Sequence, residues 1–350
     1  MSWLDNVRTC DPYTPGEQPH EADMVKLNTN ENPYPPSPRI EKALKDMDPA
    51  DLRLYPDPSA GALVHALATH FRLKDSQVFV GVGSDDVLAM LFLTFFNSDK
   101  PILFPDITYS FYDVWAKLFR IPYKEMPLDE QFHIRPEDYL QENGGIIFPN
   151  PNAPTGVAMS VEVIEEIVAA NPDSVVIVDE AYVDFGAESA LSLIDRYDNV
   201  VVVQTFSKSR SMAGLRIGYC MGSEKLIKCL NDVKYSFNSY TMNRPSIELG
   251  CAVVADDYYF TECCHKVMAT RKRTETRLRE MGFRFESSSA NFIFVSHADK
   301  PAKEIFEALR QQHIYVRWFN KPRIDNYLRI TIGTEEQMSR LFLALKDILK

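Results

Sequence analysis

From Gln77 onward, short apolar runs alternate with helix-length segments of mixed polarity, and no other feature of the chain restricts its fold more. QVFVGVG (77–83) precedes SDDVLAMLFLTFF, PILFPD (101–106) precedes YSFYDVWAKLF, and GGIIFPN (144–150) precedes SVEVIEEIVAA. SVVIVDEAY (174–182) and NVVVVQTFSK (199–208) continue the series. A strand that is apolar at successive positions has no solvent face, so it must be covered on both sides. Alternation with helices meets that demand in a mostly parallel sheet sandwiched between helical layers. The predicted class is α/β, and ligand sites in such folds gather at the carboxyl ends of the strands.

After Arg216 the pattern changes. RIGYCMGS (216–223) adds a strand, and charged helical segments run from about Glu224 to Met281. FRFESSSANFIFVSH (283–297), a helix near 301–311, IYVRWF (314–319), YLRITIG (327–333) and a closing helix from Glu335 predict a smaller α+β domain. The first forty residues, with NENPYPPSPR at 30–39, are too rich in proline for a helix and predict an extended arm packing with the small domain. The expected division is an arm over 1–40, a large domain over 41–245 and a small domain over 246–350. A chain of 350 residues with 45% hydrophobic content can supply these cores. No apolar run reaches bilayer length, and MSWLDNVRTC lacks the basic-then-apolar order of a signal peptide, so no membrane partner and a cytoplasmic location are expected. Six cysteines without CxxC spacing predict reduced structural thiols and no metal site. A net charge of −11 opposes nucleic acid as a partner.

Unusual residues stand at the strand ends. TFSKSRSMAGLRIG (205–218) follows the apolar run Val200–Val203, so Lys208 lies where a buried strand stops. An ammonium there costs desolvation, burial lowers an amine's pKa, and a neutral amine can attack a carbonyl to form a Schiff base. Ser207 and Arg216 can hold a phosphate, Arg216 as a forked donor. A lysine beside a phosphate clamp suits pyridoxal phosphate; a solvated Lys-Ser-Arg loop explains the segment alone equally well. Asp179 ends SVVIVDEAY, and an acid after an apolar run either meets a cation, such as a protonated pyridine nitrogen, or faces water. Tyr182 can offer its phenol to a ring oxygen. In GVGSDDVL (81–88) the glycines Gly81 and Gly83 lead into a helix whose first N–H groups make an anion site, with Ser84 or Asp85 as the predicted cap. A plain capped turn has the same appearance. Tyr109 in DITYSFYDVW either stacks on a flat ring or fills the core. FPNPNAPTG (148–156) can aim an amide at a ring oxygen or serve only as a turn. Arg317 in IYVRWF and Arg329 in YLRITIG lie inside apolar strands and predict an anionic substrate, unless they face solvent at alternate positions.

LNTNENPYPPSP, RLYPDP, GVGSDD, DITYSFY, PNAPTG, VDEAYVDF, TFSKSRSMAGLRIG, SANFIFV and YLRITIGT span essentially the whole chain. In this order they resemble the fold-type I, pyridoxal-phosphate-dependent aminotransferases, most of all the histidinol-phosphate aminotransferases. The resemblance implies that Lys208 holds the cofactor as a Schiff base, Asp179 partners its pyridine nitrogen, Tyr182 bonds its ring oxygen and Tyr109 stacks on its ring. Ser84 and Asp85 through backbone, and Ser207, Arg216 and Thr205 through side chains, would surround its phosphate. Tyr55 would reach across a homodimer interface to the cofactor phosphate of the neighbouring subunit, giving shared active sites. Arg317, Arg329, Asn30 and Tyr109 would contact substrate. The implied reaction moves an amino group between histidinol phosphate and 2-oxoglutarate, giving imidazole-acetol phosphate and glutamate, in histidine biosynthesis. An aromatic-amino-acid aminotransferase, or a lyase resembling threonine-phosphate decarboxylase, would share every cofactor residue. A non-catalytic cofactor-binding regulator would carry an added basic DNA-binding region, which this acidic chain lacks. Two departures stand out: Ala153 occupies the position before Pro-Thr-Gly where many relatives have asparagine, with Asn152 one residue earlier as the candidate amide. Ser209 and Arg210 follow the lysine where relatives often have small or aromatic residues.

Overall fold

The computed structural model describes residues 2–14, 16–21 and 23–350. In chain order its strands begin β1 (Val25–Lys26), β2 (Val78–Gly81), β3 (Ile102–Pro105), β4 (Tyr123–Met126), β5 (Ile146–Pro149), β6 (Val176–Asp179) and β7 (Val200–Thr205). They continue with β8 (Gly218–Gly222), β9 (Phe283–Arg284), β10 (Phe292–His297), β11 (Ile314–Tyr315), β12 (Arg317–Trp318) and β13 (Leu328–Thr331). A seven-stranded sheet has the order β2-β8-β7-β6-β5-β3-β4. Its pairs from β4 to β7 are parallel, and β8 runs antiparallel between β7 and β2. This is the mostly parallel sheet that the apolar runs predict.

Burial follows the two-residue period of a strand. Ile177, Val201 and Val203 pack on one face with Phe92 of the helix Ser84–Phe95, whereas Val176, Val178, Val200 and Val202 pack on the other with Leu63 and Ile164. The chain leaves β3 for β4 and then returns to β5 on the other side of β3. Loops leaving β3 and β5 therefore diverge, which opens a crevice at the carboxyl edge of the sheet.

A second core forms around the four-stranded antiparallel sheet β12-β13-β10-β9, with Phe292, Ile330 and Leu341 at its centre. The run 314–319 does not form the single strand its composition predicts. Buried Val316 separates β11, which pairs in parallel with β1, from β12, which pairs with β13. The N-terminal segment is thus stitched into this second core, and Val25 and Leu27 are buried in it. β4 also escapes an apolar-run search, because Lys124 and Glu125 are exposed on an edge strand with one wet side. Among the described residues, no helix is long and apolar enough to cross a membrane.

Candidate active site

A cavity of about 170 Å³ opens at the carboxyl ends of the sheet, and Ser84, Asp85, Tyr109, Asp179, Tyr182, Thr205, Ser207, Lys208 and Arg216 all line it. These residues come from five separate segments of the chain, so only the folded sheet brings them together. Asp179 is the last residue of β6 and is buried. Its Oδ2 accepts a hydrogen bond from the Tyr112 hydroxyl at 2.8 Å, and its Oδ1 accepts from the Ala181 N–H at 3.3 Å. Burial pushes its carboxyl up to about 6, against the opposing pull of Tyr112 and Ala181. Neither hydrogen-bond partner is a cation.

Lys208 Nζ donates to the carbonyl of Thr29 at 3.1 Å and lies 5.7 Å from the centre of the Tyr182 ring. The Tyr182 hydroxyl accepts from Asn30 Nδ2 at 2.9 Å. Asn30 is held in turn: its backbone sits at φ 57°, its Oδ1 accepts from Thr331 Oγ1 at 3.0 Å, and its carbonyl accepts from Asn291 at 2.9 Å. The N-terminal segment therefore closes the lysine side of the cavity.

At the opposite end stands the start of the helix Ser84–Phe95. Ser84 is its first residue rather than its cap; Gly83, at φ 86°, occupies the cap position and leaves the N–H groups of the first turn without a side-chain partner there. A Cβ at Gly83 would strike the Arg216 guanidinium, and one at Gly218 would strike the backbone of Gly83 and Ser84. Arg216 Nη2 donates to Asp85 Oδ2 at 3.1 Å, and Nη1 lies 3.5 Å from Ser207 Oγ. Asp85 Oδ1 accepts from the Tyr109 hydroxyl at 2.7 Å, which fixes that ring against the cavity. Thr205 Oγ1 accepts from the Ser207 N–H at 3.1 Å and shapes the turn that carries Ser207 and Lys208.

Five predicted residues lie outside this cavity. The Asn152 amide donates to the Ile107 carbonyl at 3.0 Å and to Thr155 Oγ1 at 3.1 Å, while its neighbour Ala153 lines the cavity instead. The amide is thus spent within the loop scaffold. Asn30 stands behind Tyr182. Tyr55 is 81% exposed, with its ring 4.8 Å from that of Tyr240 on the outer surface. Arg317 and Arg329 face each other across β12 and β13, both stacked near Phe319 at 5.6 and 5.7 Å. Arg329 Nη2 donates to the Asn28 carbonyl at 2.9 Å, and its buried Nε has no partner among the described residues. Arg317 lines a larger adjoining cavity of about 630 Å³ together with Thr108 and Ser110. Burial, then the nearby Arg317 charge, pulls the Arg329 guanidinium below its usual range.

Sequence reasoning missed Tyr112, Thr29 and Glu31. Tyr112 follows Tyr109 by three residues and looks like any core aromatic; only the seating of its helix aims the hydroxyl at Asp179. Glu31, paired with Lys26 at 2.6 Å, lines the cavity from the segment NENPYPPSPR, whose prolines marked an extended arm and of which only Asn30 was expected at the site. The whole arrangement fits pyridoxal phosphate: a buried carboxylate bonded to no cation among the described residues, a lysine lining the same cavity, and a helix start kept open by glycines beside an arginine. A flat cationic ring satisfies the first, and a phosphate the last.

The profile of the aminotransferase class I and II family matches residues 22–345. The chain is 53% identical over 350 residues to histidinol-phosphate aminotransferase 2 of Dechloromonas aromatica (strain RCB), covering 99% of this chain and 98% of that one. It is 54% identical over 351 residues to the histidinol-phosphate aminotransferase of Acinetobacter baumannii (strain SDF), covering 99% and 97%. The crystal structure of histidinol-phosphate aminotransferase from Sinorhizobium meliloti in complex with pyridoxal-5'-phosphate matches with a TM-score of 0.84 at 22% identity, over 92% of this chain and 90% of that one, a likeness of fold. The chain belongs to the pyridoxal-phosphate-dependent aminotransferases of class I and II and, within them, to the histidinol-phosphate aminotransferases.

Proposed function

We propose that the chain transfers an amino group between histidinol phosphate and 2-oxoglutarate. The observation that carries this is the meeting of Lys208 and buried Asp179 in one cavity, on a chain more than half identical to histidinol-phosphate aminotransferases over its length. Pyridoxal phosphate, held by Lys208, would supply the electron sink that labilises the substrate's α-proton. Asp179 keeps a positive charge on the ring nitrogen. Tyr109 presents its ring face and Tyr182 its hydroxyl, the latter oriented by Asn30. The N–H groups of Ser84 and Asp85, with Ser207, Thr205 and Arg216, surround the phosphate. Lys208, whose amine lines the same cavity, would be the group that moves the proton. Arg317 and Arg329 receive the phosphate of one substrate and a carboxylate of the other, and the orphaned Arg329 Nε supports this reading because a bound anion would satisfy it.

We further infer a large domain over 41–245, a small domain over 246–350 with the arm 1–40 packed on it, and a cytoplasmic homodimer. Tyr55 would reach the neighbouring site's phosphate, and its exposure beside Tyr240 supports that. The test is amino transfer from histidinol phosphate to 2-oxoglutarate by purified protein. Lys208→Ala is expected to lose activity by a thousandfold or more, on the order set by loss of the proton-transfer group, together with the visible absorbance of the bound cofactor. Preferential turnover of phenylalanine, or an active Lys208→Ala variant, would overturn it.

A further inference from the structure

Tyr112 lies wholly buried at the start of the helix Tyr112–Phe119, edge-on to Phe104 and beside Phe92 and Trp115. Among the described residues its hydroxyl makes one hydrogen bond, donating to Asp179 Oδ2 at 2.8 Å. A phenol in an aromatic core is costly unless its O–H is used, and a buried carboxylate is costlier still without donors. Hence the two groups depend on each other. A hydrogen bond between Asp179 and a ring nitrogen can carry its proton on either side, as carboxylate with cationic ring or as carboxyl with neutral ring. A second donor on the carboxylate makes its oxygens less basic and favours the first arrangement. On the cofactor role assigned above, we propose that Tyr112 is a positioning residue that holds Asp179 ionised and thereby keeps the proton on the ring nitrogen.

The other groups facing Asp179 do not supply this. Asp85, on the helix Ser84–Phe95, is an acid and acts in the opposite direction, and the Ala181 N–H is a longer contact at 3.3 Å. Tyr109, Tyr182 and Lys208 share the cavity but have their hydrogen bonds to Asp85, Asn30 and Thr29. Arg216 is paired with Asp85. Glu180, the adjacent buried acid, bonds to Ser189, Ala190 and Gln204 and does not touch Tyr112. Burial raises the Asp179 pKa, and the bond from Tyr112 is the largest effect opposing it.

Tyr112→Phe keeps the ring and removes one oxygen. In the cofactor-free protein its melting temperature should fall further below wild type at about pH 8, where Asp179 is ionised, than at about pH 5, where it is neutral, by a few degrees. In the loaded protein, nitrogen NMR of isotope-labelled pyridoxal phosphate should show the ring nitrogen moving from its protonated towards its unprotonated position. Turnover should drop roughly tenfold with KM little changed, as for loss of a charge-assisted hydrogen bond. A deficit equal at both pH values, with an unmoved nitrogen resonance, would make Tyr112 a packing residue only and overturn the proposal. If Tyr112→Phe does not fold, Tyr112→fluorotyrosine, a stronger donor of nearly the same shape, should lower the Asp179 pKa in the cofactor-free protein; an unchanged pKa would overturn it. Wild-type protein that binds no pyridoxal phosphate overturns the proposed function instead, and the cofactor-free comparison still decides the role of Tyr112.

Discussion

Glu180 is buried as deeply as Asp179 but makes its contacts on the opposite face of the sheet. Its carboxylate accepts from Ser189 Oγ and the Ala190 N–H, both at 2.6 Å, and from Gln204 Nε2 at 2.9 Å, while Gln204 Oε1 accepts from the Tyr219 hydroxyl at 2.6 Å. Burial nonetheless raises its pKa from 4.5 to about 7. Between those values the folded protein holds a proton that the unfolded chain has released, so stability falls as pH rises. The contribution is complete below about pH 4.5 and is lost through about pH 7, roughly 3 kcal/mol in all. Glu180→Gln should flatten that part of the pH dependence, as denaturant unfolding across the window would show. It should cost only about 1 kcal/mol, because the Ser189 and Tyr219 hydroxyls and the Gln204 amide can reverse their hydrogen bonds. At this scale the sequence marks what is expensive. Lys208, Asp179 and Arg216 stand out because a charge at a buried strand end needs a reason, whereas Tyr112 does not, because a buried phenol looks like packing until its partner is known.

The seven-stranded sheet was legible because its central strands are apolar on both faces, a pattern with few other solutions. Elements with one wet side were not: β4 is polar, and β11 and β12 share one apolar run yet join different sheets. Site geometry depends on a contact between elements that is equally silent in sequence. β8 pairs with β2 through Gly81↔Gly218, and Gly218 lies directly under the start of the helix Ser84–Phe95. Gly218→Ala should lift that helix start away from Arg216. Cofactor affinity, measured by titration, should fall at least about tenfold, since displacement of about an ångström is enough to spoil a positioned site. Unfolding should become easier by about 1–3 kcal/mol from overpacking.

For the whole molecule, the proposed dimer predicts complementation. Tyr55 and Tyr240 touch on the outer surface, and Leu54 and Phe237 are also exposed; an exposed apolar patch of this kind suits burial against a second copy. Subunits carrying Lys208→Ala and subunits carrying Tyr55→Phe, refolded together, should form heterodimers with one native site. Activity should then exceed that of either parent by severalfold, and a mixture that gives only the parental average would rule out a shared site.

By itself the amino-acid sequence determined that a parallel-rich sheet forms between helices, and that Lys208, Asp179 and Arg216 stand at its strand ends, because hydrophobic period and the cost of buried charge are local properties. Only the tertiary structure decided that Asn30 orients Tyr182, that Asn152 is spent within its loop, that Ala153 faces the cavity, and that Tyr112 reaches Asp179. Hydrogen-bond partners are set by the register and seating of whole elements, and a side chain cannot report in sequence which distant atom will lie within three ångströms of it.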